Sequence, residues 1–334
     1  MGEERKFTVL RAIVEDYVQT HEPVGSKVIA ERYQLGVSPA TIRNDMAALE
    51  AAGLIIQPHT SAGRVPTEKG YRLFVDQLQD VRPLSRAERA AIERFLADAI
   101  DLDDILDRSV RLLAHLTHQV AVAAYPVLRS QVIRHIEILP VTTNRVLVVL
   151  ITSSGRMDQR TFPVDEMPTE TELADLRECF NQIADGRRPT ELGQDLTELA
   201  DTFTGCAGTL AREIATYIAD TADEEREDRI VLAGTPNLAR AGTDFTIHPV
   251  LEALEEQVVL LRLLTEMADD EGVAVRIGHE TQHETLAGTA IVASRYGTEG
   301  DAAVAALGPT RMDYAGTISA VRAVARYMTR ILAG

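Results

Sequence analysis

Residues 38–56 read Ser-Pro-Ala-Thr-Ile-Arg-Asn-Asp-Met-Ala-Ala-Leu-Glu-Ala-Ala-Gly-Leu-Ile-Ile, and their order decides the fold of the N-terminal module. Ser38-Pro39 has the form of a helix start: the serine oxygen accepts from free backbone amides, and proline has no N–H at the first helical position. At 100° per residue Ile42, Met46 and Leu49 fall on one inward face. The opposite face is Ala40, Asn44, Ala47 and Ala51, flanked by Thr41 and Arg43. Small side chains there let a helix approach a major groove closely, while Asn44 suits adenine and Arg43 a guanine or a phosphate. An alanine-rich solvent face would show the same pattern, alanine being the best helix former. The segment that follows argues against that plain reading. Leu54-Ile55-Ile56 is a short strand candidate, and Gln57 to Pro66 is polar and rich in turn formers, the shape of a β-wing. Thr60, Ser61 and Arg64 are its candidate phosphate contacts.

The flanking sequence completes the unit. From Glu4 to Thr20, Phe7, Leu10, Ile13, Val14, Tyr17 and Val18 recur at three and four positions, an amphipathic helix. Gly25-Ser26-Lys27 opens a second helix that ends near Leu35-Gly36-Val37, and Thr67 caps a fourth carrying Tyr71, Phe74, Val75 and Leu78. Helix, short helix, glycine turn, capped helix and wing spell a winged helix-turn-helix over residues 1–80. Its expected DNA contacts are Ser38, Ala40, Thr41, Arg43, Asn44, Ala47, Thr60, Ser61 and Arg64.

Charge at first speaks against nucleic acid. The chain has 51 acids and 34 bases among 334 residues, a net charge of -17. The excess is unevenly spread, since residues 1–80 hold 9 bases and 11 acids, so most of it lies beyond the module. Only Lys6, Lys27 and Lys69 are lysines; a salt-rich cytoplasm and a coding bias toward arginine are competing explanations. The longest apolar runs fall far short of the ~20 residues a bilayer span needs, and no signal-peptide core is visible, so a soluble, cytoplasmic protein without membrane association is expected. Cys179 and Cys206 form no CxxC pair, which argues against a disulfide scaffold or a cysteine-based zinc site.

Beyond a proline-containing link at 81–85, Ser85 and Glu88 have capping-box spacing for a helix to about Ile100. Ile105 to Val120 then shows a long amphipathic helix. Val132–Val141, Arg145–Thr152 and Arg156–Val164 read as an antiparallel meander. Thr169 and Glu172 cap a helix that Gly186 ends, and another is expected over Gln194–Ala219. Strands resume at Val273–Ile277, Thr289–Ser294 and Val304–Leu307, before a closing helix over Tyr314–Leu332. Strands that stop, yield to helices and resume suggest an α+β domain with another inserted.

The run VSPATIRNDMAALEAAGLI followed by PHTSAGRVPTEKGYRLFVDQL closely resembles the HrcA family of heat-inducible transcription repressors. LGPTRMDY (Leu307 to Tyr314), VLAGTPNL (Val231 to Leu238) and VRIGHE (Val275 to Glu280) resemble further boxes of that family, the last departing from its pattern where Thr281 follows Glu280. The resemblance implies an α+β architecture: the winged helix-turn-helix of residues 1–80, a linker helix at 81–104, a GAF-like domain over 105–164 and 271–334, and an inserted dimerisation domain at 165–270. It implies repression of chaperone operons by a homodimer on a CIRCE-type inverted repeat until heat stress, with a GroE-type chaperonin as helper. It implies neither catalysis nor a cofactor.

Two readings compete. One is a regulator whose GAF-like domain senses a small ligand. The other, more distant, rests on His279-Glu280-Thr281-Gln282-His283, which matches HExxH, where a helix would set His279 and His283 on one face for zinc with Glu280 as general base. Strand-like flanks favour a solvated loop instead. Gly308 to Tyr314 is a corner where Arg311 and a helix N-terminus suit an anion, an ordinary structural corner being preferred. His115 and His118, one turn apart, read as a helix face. No Walker or Rossmann glycine loop and no GxSxG elbow is present.

Overall fold

The computed structural model describes residues 2–59, 62–78, 85–97, 99–126, 131–223, 229–240, 246–268, 272–297, 300 and 302–333. Apolar residues three and four apart make the first three helices, α1 (Gly2–Thr20), α2 (Ser26–Tyr33) and α3 (Pro39–Ala51). They bury Leu10, Ile13, Ile29, Ile42, Met46 and Leu49 around one centre. Full burial of such side chains contributes about 1.5–3 kcal/mol each. The chain turns between α2 and α3 through Gln34 and Gly36, both left-handed at φ 46° and 69°. Strands β1 (Ile55–Ile56) and β2 (Val65–Pro66) pair antiparallel, Ile55 opposite Pro66, and α4 (Glu68–Asp76) starts where the Thr67 hydroxyl accepts from the Gly70 amide at 3.1 Å.

The module also buries charge. Asp45 of α3 is 4% exposed and faces Arg5 of α1, whose Nε and Nη2 donate to its carboxylate at 2.7 and 3.0 Å. Those hydrogen bonds hold the Asp45 carboxyl below the usual carboxylate range against the opposing effect of burial. Asp16, equally buried, pairs with Arg32 across α1 and α2.

After the module, α5 (Arg86–Ala97) and α6 (Leu102–Thr117) lead into a five-stranded antiparallel sheet. Its strands are β3 (Val120–Ala124), β7 (Ile230–Ala233), β8 (Val273–Ile277), β9 (Thr289–Tyr296) and β10 (Ala302–Pro309), in the order β7-β3-β10-β9-β8. The two-residue alternation of a strand divides the sheet between two cores. Ala121, Ala123, Val292, Val304 and Ala306 face α6 and α12 (Tyr314–Leu332). Val120, Val122, Ile291, Ala305 and Leu307 face α10 (Ile247–Glu255) and α11 (Gln257–Ala268). A second sheet, β4 (Ile133–Thr142), β5 (Arg145–Thr152) and β6 (Met157–Pro163), lies in sequence order and packs on α7 (Glu170–Ala184), α8 (Gly193–Ala200) and α9 (Gly205–Asp223).

This packing redraws the expected boundaries. The meander at 133–163 shares its core with α7–α9, through Ile136, Val148, Leu150, Leu176, Phe180 and Leu210. Strand β7, α10 and α11, expected in the insertion, instead belong to the five-stranded sheet or pack on it. The interrupting unit therefore runs from about 131 to 223, rather than 165 to 270. The region expected as a linker helix is docked: α5 inserts Ile92 and Leu96 against Tyr327, and Glu93 accepts from the Tyr327 hydroxyl at 2.8 Å. Helix α6 stops at Thr117 because His118 turns left-handed at φ 54°, which frees Val120 to begin β3. The helix expected over 194–219 is two, broken before Gly205 at φ 64°. The Thr169–Glu172 capping box is formed in both directions.

Urea unfolding between pH 7 and pH 3 checks the Arg5–Asp45 pair. A carboxylate with a depressed folded pKa stabilises above its unfolded value of about 4, and the contribution fades as pH falls through the folded value. Asp45→Asn is therefore expected to cost about 1–2 kcal/mol at pH 7 and less as the pH is lowered toward 3. Equal losses at both pH values would assign Asp45 a packing role alone.

Candidate nucleic-acid interface

Helix α3 presents its outer face as its spacing predicts. Ser38 is the N-cap: its backbone is extended at φ -69° and ψ 154°, its hydroxyl accepts from the Thr41 amide at 3.2 Å, and Pro39 fills the first helical position. Ala40, Arg43, Asn44, Ala47 and Ala51 are exposed and Thr41 is half-buried, while Ile42, Asp45, Met46 and Leu49 point inward. The helix is fixed by its buried face and by Arg5–Asp45, which leaves the outer stripe clear of other described residues.

The electrostatics of this face follow from what the neighbouring bases do. The module has six arginines. Arg5 pairs with Asp45, Arg11 with Glu15, Arg32 with Asp16, Arg64 with Glu50 and Arg72 with Glu280. Arg43 alone among them has no ion pair with a described residue. Asn44 beside it likewise makes no side-chain hydrogen bond with a described residue. Lys69 donates to the Ala52 carbonyl at 3.0 Å, at the C-terminal end of α3. The bases of the module are thus largely neutralised, and the polar groups without a partner among the described residues sit on the outer face of α3.

The wing is held by contacts that sequence periodicity does not signal. Val24 and Arg64 form an isolated antiparallel bridge, each amide donating to the other's carbonyl at 2.9 Å. Gly63 is what permits this approach: a Cβ there would lie 2.5 Å from the Pro23 and Val24 backbone. Arg64 reaches back to α3, its Nη2 and Nε donating to one Glu50 oxygen at 2.9 and 3.0 Å. Arg64, expected as a phosphate contact of the wing, is therefore half-buried and ties the wing to α3. Thr60 and Ser61, the other expected wing contacts, lie outside the described residues.

The HExxH segment does not form a helix face. Residues 278–281 make a 3-10 turn, Gln282 is left-handed at φ 57°, and His283 is extended, so His279 and His283 are not one α-helical turn apart. His279 instead meets Glu68 of α4, its Nδ1 at 3.0 Å and its amide at 3.2 Å from one carboxylate oxygen. Glu280 accepts from the Ile277 amide at 2.9 Å and pairs with Arg72 of α4 at 3.2 Å. The motif is a latch between the DNA-binding module and β8. At the 308–314 corner, Asp313 caps α12 by accepting from Gly316 at 3.0 Å, so the helix N-terminus already holds a carboxylate. No described helix is long and apolar enough to cross a membrane.

Comparison with known proteins agrees with this geometry. Residues 4–80 match the model of the winged helix-turn-helix transcription repressor, HrcA DNA-binding family, and residues 103–318 match that of the HrcA protein C-terminal domain. A heat-inducible transcription repressor HrcA from Beutenbergia cavernae is 57% identical, covering 100% of each chain. Its namesake from Streptomyces avermitilis is 55% identical over 100% of this chain and 99% of its own. A crystal structure described as a hypothetical protein, 25% identical, superposes with a TM-score of 0.65 over 98% of both chains. With the exposed recognition face, the wing and both matches spanning nearly the whole length, the chain belongs to the HrcA family of heat-inducible transcription repressors.

Proposed function

We propose that the chain represses chaperone operons as a homodimer, laying α3 of each protomer in the major groove of one half of a CIRCE-type inverted repeat until heat stress. The observation that carries the reading is that Arg43 and Asn44, on an otherwise alanine-lined helix face, have no partner among the described residues, in a module whose other arginines are engaged. Asn44 then pairs with an adenine edge, Arg43 with guanine or phosphate, and the Ser38, Ala40, Thr41 and Ala47 surface allows close approach. Arg64 has donors to spare beyond Glu50 and meets the phosphate backbone with the wing residues Thr60 and Ser61. A GroE-type chaperonin as helper, a cytoplasmic location and a GAF-like character for the five-stranded unit rest on the family resemblance.

The dimer reading has its own support in the interrupting unit. On β5 Val146, Val148 and Leu150 are buried, while Leu147, Val149 and Ile151 face outward and are partly exposed. Leu139 lies opposite Leu147 and Met157 opposite Ile151, and both are exposed. An apolar stripe of this kind along β5, flanked at its middle by Glu137 and Gln159 opposite Val149, suits a self-complementary two-fold contact with a polar rim.

Three variants test the reading on operator and scrambled duplexes. Asn44→Ala is expected to relax preference at one operator position by about 1–3 kcal/mol of discrimination, leaving scrambled DNA unaffected. Arg64→Ala should weaken both duplexes alike and lower the salt slope of binding by about 1. Unchanged profiles in both would remove these contacts. Val149→Glu is expected to give a monomer by light scattering, with weak binding to the inverted repeat and unaltered binding to a half-site; a dimer of full affinity would move the interface elsewhere.

A further inference from the structure

The last turn of α3 is an unfavourable place for a carboxylate, yet Glu50 stands there. The C-terminal end of a helix carries partial negative charge, and the DNA that the helix is to meet is a polyanion. Helix α3 has no basic residue of its own in that turn. Its final carbonyls are met from the start of α4 instead: Lys69 donates to Ala52 at 3.0 Å, and the Thr67 hydroxyl donates to the Gly53 carbonyl at 2.7 Å. What holds Glu50 is the wing.

Arg64 is fixed at both ends. Its backbone is pinned by the bridge to Val24, and Gln57 closes the wing beside it by donating to the Ala62 carbonyl at 3.0 Å. Its guanidinium gives Nε and Nη2 to the same Glu50 oxygen. A guanidinium is a rigid planar fork, so engaging one edge sets the direction of the other. Nη1 and the second N–H of Nη2 have no partner among the described residues. The Arg64 side chain keeps 22% of its surface exposed and that of Glu50 34%, so an incoming phosphate can reach the pair.

We propose that Glu50 is a positioning residue of the nucleic-acid interface: it aims the open edge of Arg64 at a phosphate while its own charge cancels that of the guanidinium. The inference rests on the reading of α3 and the wing as the DNA-binding surface. An arginine already held in place loses little side-chain freedom when the phosphate arrives. A neutral pair adds direction to that contact without adding net attraction for every duplex. Glu50 thus lets the wing fix the register of α3 while limiting the affinity for DNA of any sequence.

The test is equilibrium binding of the full-length protein to operator and scrambled duplexes across a potassium chloride series. The variants are Glu50→Gln and Glu50→Ala, each alone and combined with Arg64→Ala, with far-UV circular dichroism establishing that each is folded. Both changes at Glu50 remove the same charge, but only glutamine keeps an oxygen that accepts from the guanidinium. Glu50→Gln is expected to tighten both duplexes by roughly three- to tenfold and to steepen the salt slope by about one. Glu50→Ala should share that slope yet bind about threefold more weakly than Glu50→Gln, because Arg64 is no longer aimed. With Arg64→Ala added, the two should bind alike and the slope return to that of the wild type. A purely structural role for Glu50 would move neither the slope nor the dependence on Arg64. The proposal is overturned if the wild type prefers the operator but Glu50→Gln leaves the slope unchanged. It is overturned equally if glutamine and alanine bind alike with Arg64 present, or still differ without it. A wild type with no preference for the operator overturns the DNA reading of α3, and this inference with it.

Discussion

In a chain with 51 acids and 34 bases, an arginine stays available for a partner molecule only where the fold keeps carboxylates away from it. That constraint organises the DNA-binding module. Buried Asp45 and Asp16 need compensating cations, because an unpaired buried charge costs several kcal/mol, and they take Arg5 and Arg32. Glu50 takes Arg64 and thereby fixes the wing beside α3. Five arginines thus serve structure, and Arg43, whose helical neighbours are Ala40, Ala47 and the capped N-terminal turn, is left facing outward with Asn44. The net charge of -17 does not oppose DNA binding once its internal pairing is resolved residue by residue.

The module is not a bead on a string. Its core runs without a break into that of the five-stranded sheet, so that Tyr71 and Phe74 belong to the same cluster as Tyr314, Met312 and Val292. Helix α4 is the joint: Glu68 meets His279, Arg72 meets Glu280 and donates to the Val275 carbonyl at 3.3 Å, and Tyr71 packs on Tyr314. Gly278, left-handed at φ 57°, lies where a Cβ would strike the Glu68 carboxylate, so the latch depends on a bare backbone. The two sequence boxes VRIGHE and LGPTRMDY therefore carry the surface on which the DNA-binding module sits, whatever their resemblance to chemical motifs.

Much of this was legible in advance because it rests on local periodicity. The face of α3, the Ser38 and Thr67 caps, the Thr169–Glu172 box and the strands at 145–152 and 273–277 follow from spacing and capping chemistry alone. Where the reading failed, tertiary contacts decided. Val120 continues a helical pattern but belongs to a strand, because His118 takes a left-handed turn unusual for a non-glycine residue. The assignment of the 133–163 meander to the interrupting unit depends on which helices cover it, and β7 is a four-residue strand recognisable only from its pairing with β3. Within the site, exposed Arg43 and paired Arg64 look alike in sequence, since Glu50 lies 14 positions from Arg64.

The central claim is that Arg43 and its neighbours on α3 are the surface that reads DNA. Methylation protection of guanines in the inverted repeat, comparing the wild-type chain with Arg43→Ala at saturating protein, tests it most directly. The account predicts a symmetric pair of major-groove protections, one in each half-site, that the variant loses while the remaining footprint persists. A protection pattern identical in the two proteins would contradict it and place the reading surface elsewhere on the module.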